Sequence, residues 1–185
     1  IVGEAMPKGD IGIEIGARQV KMIFCENHGF CREEVEPLPE RCVKDGISMS
    51  VEVMAGFLKK MAKTYGFKCR SCCLVLPDHV TFTRRLTMPA MSVKHLKLNL
   101  PYEFHDFVGN KKEAYLFDYA VMDMRYDERK QPVSMDLMAA AVSKRTMEEY
   151  RQMLRLAGWK LKAAAPAAFA YSGLIREYEE RRKLS

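Results

Sequence analysis

The apolar residues at the start of the chain recur at every second position. Ile11, Ile13 and Ile15 are separated by Gly12 and Glu14, the period of a strand with one buried face. Gly16-Ala17-Arg18 makes a short turn, and Val20–Cys25 is a second β-rich run. Asn27-His28-Gly29 is another turn and Phe30–Val35 a third strand, before Pro37 and Pro39 break the pattern. Together these runs predict a three-stranded antiparallel meander. The period then changes. After a turn at Lys44-Asp45-Gly46, Met54, Phe57, Leu58, Met61 and Tyr65 fall on one helical stripe, with Ser50 placed to cap its start and Gly66 to follow its end. Cys72–Leu76 is a continuous apolar run closed by Pro77, which reads as a buried strand.

A second set of elements follows. Val80, Phe82, Leu86 and Met88 alternate with Thr81, Thr83, Arg85 and Thr87. That predicts a strand with an apolar face and a Thr/Arg face, ended by Pro89. Arg84 interrupts the apolar side, which is therefore expected to be only half buried. Ser92 caps a helix carrying Val93, Leu96, Leu100, Phe104 and Phe107, and Pro101 must kink or restart it. Ala114–Met124 and Val133–Val142 are long strands joined by the polar turn Asp127–Pro132. Ser143 caps a helix with Met147, Tyr150, Leu154 and Ala157 inward, closed by Gly158. Trp159–Ala165 predicts a strand and Ala167–Lys183 a final helix. The order is β-β-β-α-β, then an inserted β-α-β-β-α, then β-α. The boundaries lie near Pro77–His79 and Trp159–Lys162.

Composition narrows the function classes. The 185 residues are 48% hydrophobic and 29% charged, a globular balance that supports a core without disulfide or metal staples. The longest uncharged stretch, Ala163–Ile175, contains Pro166 and Gly173 and is shorter than the roughly 20 residues of a spanning helix. No signal peptide is visible, so a cytoplasmic location is expected. The net charge of +6 is spread through mixed runs such as Arg176–Lys183, with no signature of a nucleic-acid module, so no nucleic-acid partner is expected. Cys69, Cys72 and Cys73 lack a second, regularly spaced pair, and on a strand Cys72 and Cys73 point to opposite faces. Reduced thiols acting as small apolar residues fit better than zinc. His28, His79, His95 and His105 are scattered, and the adjacent carboxylates Glu33-Glu34 and Glu148-Glu149 cannot flank one substrate. No catalytic residue and no metal ligand is assigned.

One segment carries chemistry. Ile11–Lys21 is a strand, a tight turn and a strand. It places an acid at a strand end, then a glycine, then backbone amides, then a lysine. Amides in such a turn can cradle a phosphate, the acid can hold a metal-bound water, and the lysine can neutralise phosphate charge. A plain hairpin with a required glycine explains the same residues.

This segment resembles the first phosphate motif of the actin-like ATPase superfamily, and specifically that of the PilM family of type IV pilus assembly proteins, I-G-[I/L]-D-I-G-S-S-S-[I/V]-K. Other stretches resemble the same family, in its order. Val80–Pro89 is similar to its Thr/Arg-Arg strand ending in proline. Tyr102-Glu103 followed by Leu116–Met122 is similar to its acid-bearing helix and the strand V-L-D-Y-Q-V-L. Ala139–Gly158 is similar to A-A-x-K-x-x-x-x-x-Y-x-x-x-L-x-x-A-G, and Ala165–Ala170 to E-P-x-A-L-A.

The resemblance implies a mixed α/β fold. An actin-like, ribonuclease H-like subdomain 1A would span residues 1–78 and 160–185. An SHS2-type subdomain 1C, a module shared with the division protein FtsA, would be inserted over 79–159. Glu14 stands at the family's Asp, Gly16 at its Gly and Lys21 at its Lys, while Ala17, Arg18 and Gln19 replace its three serines. A nucleotide-phosphate and metal site at these six residues is therefore expected in degenerate form. The longer Glu14 carboxylate displaces a metal or water, the serine hydroxyls are lost, and Arg18 either compensates as a phosphate partner or fills the site. The family's second phosphate motif and adenosine site have no counterpart here. ATP and magnesium are thus expected only in a full-length protein, and hydrolysis is not expected of this chain alone. The implied partner is the cytoplasmic peptide of a PilN-like inner-membrane assembly protein, bound near a 1A/1C groove whose residues the sequence does not identify. Self-association is left open. The membrane would be met only through partners, at its inner face. Two rivals are an FtsA-like division or filament protein, and half of a sugar or acetate kinase of the superfamily.

Overall fold

In the computed structural model, residues 10–25, 31–39, 50–67 and 69–169 are described. The turns expected at Asn27-His28-Gly29 and Lys44-Asp45-Gly46, and the final helix beyond Phe169, lie outside them. Asp10–Ile15 forms β1, Gln19–Cys25 β2 and Cys31–Pro37 β3. β1 pairs antiparallel with β2, and β2 with β3, so the expected meander forms. It runs further than expected, because Pro37 is the last residue of β3, opposite Gln19. A terminal proline needs no inward N–H and ends pairing without preventing it.

The helix α1, Val51–Thr64, buries Met54, Ala55, Leu58, Met61 and Ala62. Ser50 caps it by accepting from the Val53 N–H. At the other end Phe67 N–H donates to Ala62 C=O at 2.9 Å and Gly66 N–H to Lys63 C=O at 3.3 Å, with Gly66 at φ +70°. This is a Schellman closure, and it needs a residue that tolerates positive φ. The Phe67 ring then lies 5.7 Å from that of Phe24, tying the helix end to β2. Ser71–Leu76 is β4, parallel to β1, with alternate residues buried.

Thr81–Pro89 forms β5. The helix after it is broken by Pro101, as expected. α2 spans Val93–Asn99, a 3-10 turn covers Leu100–Phe104, and α3 is the single turn His105–Val108. Tyr115–Tyr126 is β6 and Pro132–Ser143 is β7, which lies between β5 and β6 in an antiparallel sheet. Leu100, Phe104 and Val108 pack on Ala139 and Ala141, and Leu96 on Met88, Met135 and Leu137. The small alanines of β7 leave room for the phenylalanine rings. Arg84 is held on the apolar side of β5 by its guanidinium, which donates to Glu103 C=O and to Asp106 at 2.7 Å and lies 5.2 Å over the Phe104 ring. Phe82, expected inward, remains 41% exposed and stacks on Phe107. The first residue of β5 pairs with the end of β7, Thr81 opposite Val142, so this unit begins and ends at one place.

α4, Lys144–Ala157, buries Met147, Tyr150, Met153, Leu154 and Ala157, and Gly158 at φ +102° closes it. Lys160–Pro166 is β8, parallel to β4. The sheet order is β3-β2-β1-β4-β8.

The chain divides into two compact units. Among the described residues one contains Asp78–Arg145 with residues 168–169, and the other joins residues 10–77 with Thr146–Ala167. The boundary differs from the expected insertion over 79–159. From Thr146 on, α4 groups with the five-stranded sheet, so the insert is β-α-β-β without a last helix. The physical reason is β4 and β8. Parallel neighbours need a covering crossover, and the helix that leads directly into β8 belongs to it. Among the described residues no helix is long and apolar enough to cross a membrane.

Candidate functional site

The turn between β1 and β2 lies at the C-terminal end of β1, on the side where open α/β sheets receive ligands. Gly16 N–H donates to Gln19 C=O at 2.9 Å. A Cβ on Gly16 would meet that same oxygen at 3.2 Å, so the glycine serves a close approach of backbone to backbone. Leu38 N–H donates to Arg18 C=O at 2.8 Å, fixing the tip of the loop from the segment after β3. No local pattern signals that tie, because Pro37 and Pro39 read only as breakers.

Ala17, Arg18 and Gln19 are exposed. Among the described residues the Ala17 and Arg18 amides have no backbone acceptor, which leaves two donors at the loop tip for an anion. Glu14 and Lys21 face one another across the β1–β2 ladder, Nζ to Oε2 3.2 Å, each side chain about one-third exposed at 33% and 32%. All six residues singled out in the sequence therefore lie on one hairpin. The acid and the lysine, however, are spent on each other. The turn offers amides and the Arg18 guanidinium to a phosphate, but no hydroxyl, and its lysine is already held by a carboxylate. Among the described residues no group of three or more His, Cys, Asp or Glu converges to hold a metal. Cys72 is buried, and Cys69 and Cys73 are half-buried.

The three-stranded unit carries a second charged constellation that the sequence pattern did not single out. Asp136 on β7 is buried, accepts from the Thr87 hydroxyl at 2.7 Å and from Arg125 at 3.1 Å, and has Arg85 at 3.8 Å. The Thr87 hydrogen bond, then the charges of Arg125 and Arg85, hold its carboxyl below the usual range, against the opposing effect of burial. The strand alternation hinted at it, since Thr87 and Arg85 both lie on the Thr/Arg face of β5. On β6, Leu116, Val121 and Met122 are exposed apolar side chains.

A search of curated protein sequences returns no significant match. Among solved structures, the chain is similar to PilM in a PilM-PilN type IV pilus biogenesis complex. The TM-score is 0.75 at 19% identity, covering 88% of this chain and 48% of that one. It is also similar to the cytoplasmic domain of EpsL, an inner-membrane component of the type II secretion system of Vibrio cholerae, with TM-score 0.53 at 13% identity, covering 84% and 56%. The chain thus spans about half the length of these structures. At such identities the likeness establishes the fold, a mixed α/β one. The sequence profile of the type IV pilus assembly protein PilM matches residues 12–180, from the first β-hairpin through both units. With nearly the whole chain matched in order, the protein belongs to the PilM family of type IV pilus assembly proteins.

Proposed function

We propose that this chain acts as a scaffold component of a type IV pilus or related secretion machine, by binding the cytoplasmic peptide of a PilN-like inner-membrane protein. The observation that carries this reading is the match over 88% of the chain to a PilM captured in complex with PilN. A peptide site contained in the matched half could be retained by a chain of this extent. Location at the inner face of the membrane follows from such a partner. The test is titration of the chain with the N-terminal peptide of the membrane protein encoded beside it in a pilus operon. Saturable binding in the micromolar range is expected; no binding by the longest expressible form would overturn the reading.

We further infer that the β1–β2 turn is a degenerate phosphate loop. Its glycine, amides and lysine persist, while Glu14 pairs with Lys21 and Ala17 carries no hydroxyl. Loss of phosphate chemistry with retention of the hairpin fits a role in which the turn supports the sheet.

A further inference from the structure

At the opposite end of the five-stranded sheet lies a cavity of about 550 Å³. Arg70 precedes β4 and Lys160 begins β8, so both sit at the N-terminal ends of strands that run parallel to β1. The Lys160 N–H donates to Arg70 C=O at 2.9 Å, which holds the two segments side by side. Arg151 and Arg155 come from α4, one turn apart, or about 6 Å along its axis. Trp159 forms part of the wall and is 5% exposed. Glu148 is the one carboxylate in the lining, and it is engaged by Arg151 at 3.4 Å. Arg70, Arg155 and Lys160 have no side-chain partner among the described residues.

Four cations against one carboxylate are an unbalanced set. Like charges gathered in a concavity repel one another and focus a positive potential into it. We propose that this cavity is a docking site for an acidic peptide segment of a protein partner. The geometry favours a chain over a compact anion. The cations stand on three separate segments and do not converge from one loop, and the buried Trp159 reaches the lining only by an edge. Glutamate suits this spacing, because successive side chains of an extended segment can each bring a carboxylate to a guanidinium in bidentate fashion. A bilayer surface would not enter a concave site. The site is separate from the β1–β2 turn, and the proposal does not depend on the pilus-tail reading.

Trp159 is the one tryptophan of the sequence, so its emission reports on the cavity alone. Hexaglutamate added to the full chain at low salt should change that emission saturably. The double variant Arg155→Glu, Lys160→Glu should weaken binding by about tenfold or more. Arg129→Glu, in the β6–β7 turn, should leave it unchanged. Circular dichroism confirms that each variant is folded; Arg155→Gln with Lys160→Gln serves if the reversals are not, and should weaken binding in the same direction. No emission change with hexaglutamate would overturn the proposal. So would equal weakening by Arg129→Glu, or tighter binding of inorganic phosphate or phosphatidylglycerol vesicles with the same dependence on Arg155 and Lys160.

Discussion

Asp136 shows what a single buried charge demands. A carboxylate taken out of water must be compensated, and here a hydroxyl and two guanidiniums do so. Because these partners depress its folded-state pKa, the stabilisation is complete above the ordinary carboxyl value of about 3.9 and is lost as pH falls through the depressed value. Asp136→Asn should therefore lower the melting midpoint at neutral pH by about 2–4 °C. The gap between wild type and variant should close as the solution is acidified below that range. A gap that stays constant with pH would mean the carboxylate charge is not what matters. Arg84 is the complementary case. Its position on the apolar side of β5 was legible as an interruption, but the carbonyl, carboxylate and ring that receive it come from residues about twenty positions later, which no local pattern reveals.

At the scale of elements, periodicity and caps were the legible part. The alternating isoleucines of β1, the stripe of α1 and its Ser50 cap, the break at Pro101 and the hairpin around Asp127 all follow from short-range rules. The assignment of α4 did not. Its buried stripe reads the same whichever sheet it covers, and only the parallel pairing of β4 with β8 decides the matter. The closing glycines allow a sharp test. Gly66 at φ +70° has no atom within 4 Å of where a Cβ would stand, so a substitution there meets backbone strain and no steric clash. Gly66→Ala should destabilise the chain by about 1–2 kcal/mol, measured by urea unfolding. A neutral result would show that the Schellman turn can relax without loss.

For the whole molecule, the candidate site was legible as a hairpin but not as a balance of charges. The sequence placed an acid, a glycine, amides and a lysine in order. It could not say that Glu14 and Lys21 would sit opposite each other in register and pair. With that pairing and with Ala17 in place of a hydroxyl, the turn offers a phosphate only its amides and the Arg18 guanidinium. Adding magnesium and ATP to this chain should accordingly leave its melting midpoint unchanged. A saturable upward shift would mean that the turn and Arg18 alone bind nucleotide, and would overturn the degenerate reading. The cationic cavity around Trp159 had no sequence signal at all, because Arg70 and Arg155 belong to segments far apart in the chain and each reads as ordinary surface charge.

The pairing of Thr81 with Val142 bears on how such a chain reaches its fold. Joining β8 to β4 closes a loop that holds the whole three-stranded unit. In a flexible chain the entropy of closure grows with loop length, by about 0.6 kcal/mol for each doubling. Once β5 and β7 have zipped, however, the entrance and exit of that unit stand about 5 Å apart. The host sheet then experiences a tether made of the short β4–β5 link and the α4 crossover, residues 77–80 and 144–159, and not the whole loop. Insertions or deletions at the β6–β7 tip, Asp127–Gln131, would leave that tether unchanged, so the module can drift in size without slowing the closure of the sheet that carries it.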